Sequence, residues 1–427
     1  MKYFIFLLNI SMINEILKEK IIKRDFYLNK ISWFLETPII KVLTWMRRVW
    51  KSSILKSVIQ NFVNEWKIPK ENIFYVNKEL IDFDRIKDYH DLYDYFQEFL
   101  KTTRKESRIF IWVDEVQDID WWEKFINWCL AKYHSDVEIF VTWSNSTMLS
   151  SDLSTYLTWR YIEFQVFPLS FDEYSVFAAK EKNQELFLDY LKFGWLPGLF
   201  SMRAVDENIF SYLSDIYSTI ILKDVVKHFW VRNIDFLENL YKYTFSNIWN
   251  VVSAKNISDY LKSQNINIST EVVLNYLSFW SKVYLLSQVK SENPETKRYF
   301  EIFNKYYSMD LWLRNAVVGY NPKKDMWKLL ENYIYLQLIR LWYTIKIWRL
   351  KWWQEIDFVA EKYGNIKYFQ VALTILDDDT RNREYRSLES IKDNWPKYVV
   401  TMDNMDFWIS DGIQHIQIQN FEELICK

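Results

Sequence analysis

Five short apolar runs punctuate the first 170 residues: "IIKVLT" (39–44), "NIFYVN" (72–77), "RIFIWVDE" (108–115), "VEIFVTWS" (137–144) and "RYIEFQVFPLS" (160–170). Runs that are apolar at nearly every position suit strands covered on both faces, as in parallel sheets. Between them, "SILKSVIQNFVNEW", "DLYDYFQEFLKTT" and "WEKFINWCLAKY" carry apolar residues at helical spacing. Strand and helix in alternation predict a doubly wound α/β domain with helices on both faces of the sheet. A helix is expected over 21–38, ending before Thr37–Pro38, because the residue ahead of a proline avoids the helical region. The opening stretch, "MKYFIFLLNISMINEILKEK", is too short to span a bilayer, which needs about 20 apolar residues. No small-residue cleavage site follows it. It is expected to be a poorly ordered extension, with Met12 as an alternative start.

From about 171 the pattern turns helical. Residues 253–283, "SAKNISDYLKSQNINISTEVVLNYLSFWSKV", have the layout of helix–turn–helix, with Ser269 placed to cap the second helix and Glu271 near its positive end. "YLLSQVKS" and "RYFEIFN" are candidate strands of a wing. The last third holds a long helix (325–343), a strand near 344–350, and the strands "EIDFVAEK", "KYFQVAL", "KYVVTM" and "IQHIQIQ". The expected division is an extension (1–20), an α/β core (21–170), a helical and winged-helix-like region (171–290) and a smaller α/β domain (291–427).

Charge and cysteine usage narrow the class. The net charge of −2 gives no global field toward nucleic acid or membrane. Two cysteines far apart argue against a disulfide framework and a zinc cluster and suit a reducing cytosol. Four scattered histidines argue against a histidine metal site.

One composition figure changes the picture. The 427 residues include 5 glycines and 22 tryptophans, whereas a chain of this length ordinarily has about 30 glycines. Tryptophans stand where turn glycines belong, as in "TWMRRVWKSS", "VTWSNS" and "LTWR". The hypothesis is that most of them are glycines in the natural product, from a genetic code in which UGA specifies glycine. Some remain true tryptophans, including one of the pair in "DIDWWEK".

With that substitution, residues 44–53 have the layout G-x-x-x-x-G-K-S of a phosphate-binding loop, between an apolar strand and a helix. Such a loop wraps its backbone N–H groups around an anion at a helix N-terminus. Glycine permits positive φ and close backbone approach. The loop comprises Trp45, Met46, Arg47, Arg48, Val49, Trp50, Lys51, Ser52 and Ser53. Lys51 would reach the β- and γ-phosphates of ATP, and Ser52 would bind Mg²⁺. Arg47 and Arg48 would contact nucleotide or partner, or else lie on a solvated face. With indoles at 45 and 50, the loop should bind nucleotide poorly. Asp114 and Glu115 end an apolar strand; Asp114 would hold Mg²⁺ and Glu115 would deprotonate the attacking water. Ser144 and Asn145 would lie beside the loop, contacting the γ-phosphate or simply shaping a turn. Arg160 is a candidate arginine finger, in cis or across a subunit boundary, the alternative being a surface arginine.

Together, "TWMRRVWKSSILK", "IFIWVDEVQDIDWWEKFIN", "VTWSNSTMLSSDLSTYLTWRYIEFQVFPLSFDEY" and "DFVAEKYGNIKYFQVA" resemble a bacterial and archaeal family of AAA-type ATPases with a trailing domain of unknown function. The resemblance spans the chain from about residue 20. It implies a P-loop ATPase core, a winged-helix middle and a nuclease-like C-terminal fold. By motif, Lys51 and Ser52 take the Walker A roles, Asp114 and Glu115 the Walker B roles, and Asn145 the sensor role.

"LLENYIYLQL", "EIDFVA" and "YFQVA" resemble the skeleton of PD-(D/E)xK nucleases. Glu331 and Asp357 match its acids, but Gln370-Val371-Ala372 stands in place of E-x-K, so a binding or structural role is expected there. Residues 226–290 hold seven Lys/Arg against four Asp/Glu, which permits DNA binding or protein docking. The expectation is a Mg²⁺-dependent ATPase acting as a switch on DNA or protein, oligomerisation being possible. The alternative is a DNA-binding or nuclease-like module with a silent ATPase.

Overall fold

The structure is a computed structural model that describes residues 2–45, 48–103, 108–144, 157, 160–194, 196–201, 206–220, 225–226, 234–247, 251–264, 266–293, 304–350, 354–404, 409–410 and 412–426. It divides into two compact units between Phe167 and Pro168. No helix among the described residues is long and apolar enough to cross a membrane.

The first unit is built on strands β1 (Ile40–Thr44), β2 (Ile73–Asn77), β3 (Ile109–Asp114), β4 (Val137–Trp143) and β5 (Tyr161–Gln165). They form one parallel sheet in the order β2-β3-β4-β1-β5. Alternation within each apolar run sorts side chains to two covered faces. Ile109, Ile111 and Val113 of β3, with Val137, Ile139, Val141 and Trp143 of β4, join one core with residues of α4 (Tyr89–Leu100) and α5 (Trp122–Tyr133). Phe110, Trp112 and Phe140 face the other way, against Phe62 of α3 (Lys51–Asn64). This is the α/β parallel sheet of a P-loop NTPase fold. Lys41, inside the apolar run of β1, is fully buried and paired with Glu138. Arg108 also reaches Glu138, at 3.1 Å.

The amino terminus is not a loose extension. Lys2–Lys18 form a helix, α1, with Ile13 and Ile16 buried. Asn9 explains its docking. The Asn9 side chain accepts the Tyr75 backbone N–H of the edge strand β2 at 2.9 Å and donates to the Tyr95 hydroxyl at 3.0 Å. An exposed strand edge is thereby closed. The helix expected over 21–38 is shorter, α2 (Asp25–Ser32), and the chain turns at Glu36 with positive φ before Pro38.

The second unit begins with helices Phe171–Ala178, Gln184–Phe193, Asp206–Ile220 and Ile234–Ser246. Two further helices, Ala254–Ser263 and Thr270–Lys282, are capped by Ser253 and Ser269. They lead into β7 (Leu286–Glu292), antiparallel to β8 (Asn304–Ser308), which also pairs with β6 (Val251–Val252). Of the stretch "RYFEIFN", Asn304 is the first residue of β8, and residues 298–303 lie outside the described residues.

Five of the remaining strands are β9 (Thr344–Arg349), β10 (Glu355–Lys362), β11 (Asn365–Val371), β12 (Lys397–Thr401) and β14 (Ile413–Gln417). With β13 (Ile409–Ser410) they continue the same nine-stranded sheet, because β7 pairs with β9. A boundary at 290/291 therefore falls inside a sheet. The long helix Pro322–Arg340 starts at a proline with Asn321 as its cap, a combination suited to a helix start.

Candidate functional site

In a parallel sheet all strands end at one edge. The order β3-β4-β1 places the acids after β3 and the loop after β1 on either side of the end of β4. The loop backbone has positive φ at Trp45 (148°), Arg48 (68°) and Trp50 (64°). Met46 and Arg47 lie outside the described residues. Trp45 is buried with its ring 4.3 Å from that of Phe167, and Val49 is buried with its carbonyl accepting from Arg24. Trp50 is the N-cap of α3, whose first turn carries Lys51, Ser52 and Ser53.

Lys51 is almost fully buried. Its ammonium donates to the Trp45 carbonyl at 3.1 Å and lies 3.9 Å from Glu115 Oε1. Asp114 is completely buried and takes hydrogen bonds from Ser52 and Thr142. Its Oδ2 has no hydrogen-bond partner. Glu115 stands in the left-handed region, with φ 55° and ψ 56°. Its carboxylate accepts from Ser144 Oγ at 2.6 Å and from the Gln117 amide. Sequence reasoning brought together Lys51, Ser52, Asp114, Glu115 and Ser144. It missed Thr142 and Gln117, whose partners lie across the sheet or in the turn after β3.

Two expected residues remain. Asn145 lies outside the described residues. Arg160 precedes β5, which runs parallel to β1 in the register Ile40↔Tyr161. That puts Arg160 at the amino edge of the sheet, opposite the loop, with its carbonyl bonded to the Ile40 N–H. Within one chain Arg160 does not meet the loop.

The residues fit a hydrated Mg²⁺. An orphaned, fully buried carboxylate oxygen needs a partner, and a cation's water supplies one. Ser52 beside it offers a hydroxyl ligand. Burial pushes the Asp114 carboxyl up from its ordinary 3.8 to about 6, opposed by the Ser52 and Thr142 hydrogen bonds. The native state therefore holds a proton between about pH 4 and 6 that the unfolded chain releases, so stability falls as pH rises through that window. Cation binding has the opposite sense, because it needs the anion. Mg²⁺ affinity measured by calorimetry should weaken as pH drops from 7 to 5. Asp114→Asn should abolish both the binding and its pH dependence.

The second unit contains another buried polar cluster. Lys305 of β8 pairs with Glu331 at 3.2 Å and with Glu355. Tyr307 donates to Glu331 at 2.7 Å. Asp357 accepts the Val371 N–H at 2.8 Å, and burial, with Glu331 nearby, raises its carboxyl well above the usual range. Gln370 is held between the Asp357 backbone and Glu384. Among the described residues no group of three or more acidic, histidine or cysteine side chains could hold a metal ion. Lys305, Tyr307 and backbone N–H groups thus partner the Glu331–Asp357 pair.

Comparison with known proteins bears on this geometry. Residues 37–175 match the family described as an AAA domain, and residues 184–324 match a domain of unknown function. An uncharacterized protein of Haemophilus influenzae is 29% identical over 407 residues, covering 94% of this chain and 98% of the relative. The uncharacterized protein MJ1544 of Methanocaldococcus jannaschii is 27% identical, covering 96% of this chain and 90% of the relative. Among solved structures, the Aeropyrum pernix ORC1 protein in complex with DNA has a TM-score of 0.32 at 10% identity, over 70% of this chain and 93% of that one. The S. cerevisiae Hsp104–ADP complex has a TM-score of 0.34 at 13% identity, over 62% and 39%. Both structural likenesses are slight. Residues 37–175 are thus similar to an AAA domain and carry the strand order of a P-loop NTPase fold.

Proposed function

We propose that the natural protein binds Mg²⁺·ATP at loop 45–53 and hydrolyses it. The observation that carries this reading is the convergence of Lys51, Ser52, Asp114 and Glu115 at one sheet edge, with Asp114 Oδ2 lacking a partner. Lys51 would leave the Trp45 carbonyl for the β- and γ-phosphates. Ser52 and Asp114 would hold Mg²⁺, which neutralises charge on the triphosphate. Glu115 would orient the attacking water and take its proton. Arg160, at the far edge, would serve only from a neighbouring subunit of an oligomer. The two helices 254–282 and their hairpin support a docking role on DNA or protein, through which nucleotide state would be transmitted. The C-terminal cluster supports a binding or structural role there.

The same proposal holds that tryptophans 45 and 50 are glycines in the natural product. Among the described residues, twelve non-glycine residues have positive φ, and four are tryptophans: Trp45, Trp50, Trp121 and Trp342. Tryptophan is only 22 of 427 residues, and for so bulky a residue positive φ is an outlier. Four of the five true glycines lie in that region too. Trp342 follows the helix 322–340, where the Tyr343 N–H bonds the Leu338 carbonyl at 3.1 Å; such helix ends ordinarily use glycine. The indole N–H groups of Trp112, Trp143, Trp280 and Trp312 are buried without a partner, although buried tryptophans usually find one. The test is the mass of the tryptic peptide Val42–Arg47 from protein isolated from its native cell. Glycine at position 45 is expected there, and tryptophan would remove this part of the proposal.

A further inference from the structure

The Thr142 hydroxyl is hydrogen-bonded to both acids of the site. It sits on β4, beside Leu43 of β1, one residue past the Val113↔Val141 pairing with β3. That level puts it next to Asp114. Strand alternation fixes its direction. Val141 and Trp143 belong to the core with α4 and α5, whereas Phe140 faces Phe62 of α3. Thr142 shares the Phe140 side, and so does Asp114, which follows Phe110 and Trp112 at even spacing. Ser52, in the first turn of α3, lies on that side as well.

The hydroxyl both donates and accepts. Its O–H donates to Asp114 Oδ1, and its oxygen accepts the Glu115 backbone N–H at 2.8 Å. The residue is completely buried. The first bond occupies one oxygen of Asp114 and leaves Oδ2 as the unpartnered one. The second holds the amide of a residue in the left-handed region, a conformation that glutamate adopts only at a cost. That turn sets the angle between two successive acids, which would otherwise point to opposite sides of an extended strand. It brings the Glu115 carboxylate to Ser144 and within 3.9 Å of Lys51.

We propose that Thr142 is a positioning residue for ATP hydrolysis: its single hydroxyl aims Asp114 at the cation and locks the turn that presents Glu115 to water. This rests on the ATPase reading above, and it deepens that reading by naming what holds the acid pair in register. Valine has the same shape as threonine without the hydroxyl, and serine keeps the hydroxyl without the methyl group. The pair Thr142→Val and Thr142→Ser therefore separates hydrogen bonding from packing.

The experiment has two arms. In the nucleotide-free protein, Mg²⁺ binding is followed by calorimetry. Thr142→Val frees the Asp114 carboxylate to turn from the cation, so affinity should fall, and Thr142→Ser should return it toward the parent. In the chain carrying Trp45→Gly and Trp50→Gly, ATP turnover is followed at saturating Mg²⁺. Thr142→Val should lower kcat by about 10- to 100-fold, at or just below the low end of a lost acid–base contribution. KM for ATP should stay within about threefold, because the phosphate contacts are not touched. Thr142→Ser should recover most of the rate. Unchanged Mg²⁺ affinity with unchanged kcat would overturn the inference. So would Thr142→Ser matching Thr142→Val in both arms, which would mean that packing alone is at work. A parent chain without turnover would sink the ATPase reading separately, and the Mg²⁺ arm would still decide whether Thr142 aims Asp114.

Discussion

Replacing both loop tryptophans by glycine should tighten Mg²⁺·ATP binding by at least about a hundredfold. The physical reason is access. A phosphate loop works by presenting successive backbone N–H groups to the anion, and residues 45 and 50 flank that concavity. Each has a backbone course that a glycine adopts freely, with φ of 148° and 64°. A Cβ and an indole at those positions would crowd a phosphate off the amides around them. A hydrogen bond to a charged group contributes about 1.5–3 kcal/mol. Losing two amounts to a factor of about 10² to 10⁴ in affinity. Calorimetric titration of the chain with Trp45→Gly and Trp50→Gly, beside the chain with tryptophan, measures this directly. Equal affinities for the two chains would mean that the indoles do not obstruct the loop.

The second large effect is on turnover. Glu115→Gln in the glycine-containing chain should lower kcat by about 10² to 10⁴, the usual range for a general base. Affinity for Mg²⁺·ATP should stay within about threefold. Glutamine keeps the shape and the hydrogen-bonding ends that Ser144 and Gln117 engage, but it takes no proton from water. Lys51→Ala should behave differently, weakening binding and turnover together, because in the proposed role the ammonium would act on the phosphates themselves. Phosphate release under saturating ATP separates the two. Were Glu115→Gln to hydrolyse ATP at the parent rate, the base would lie elsewhere.

The strands of the first unit were legible because nearly every position in them is apolar, and the structure confirms five parallel strands within a residue or two of the expected ends, apart from the shorter β5. Lys51, Ser52, Asp114 and Glu115 were legible because each role depends on local spacing after a strand. Thr142 was not. Its partners are 27 and 28 residues away in sequence, and they meet only because β4 lies between β1 and β3. Strand order of that kind is not written in local periodicity. Lys305 was missed for the same reason, since it reaches Glu331 and Glu355 through the joining of β7 to β9. Arg160 is a related case: its distance from a strand was visible, but not that the parallel pairing of β5 with β1 puts it at the amino edge, away from the loop of its own chain. The first helix was misjudged because what docks it lies far away in sequence: Asn9 closes the edge of β2, and Gln60 and Lys70 bond to Ile16 and Asn14.

The most direct measurement is phosphate release from ATP, with Mg²⁺, by the chain carrying Trp45→Gly and Trp50→Gly, set against the same chain with Lys51→Ala. The account predicts steady turnover in the first and its loss in the second. No turnover in the first, or equal turnover in both, would contradict it.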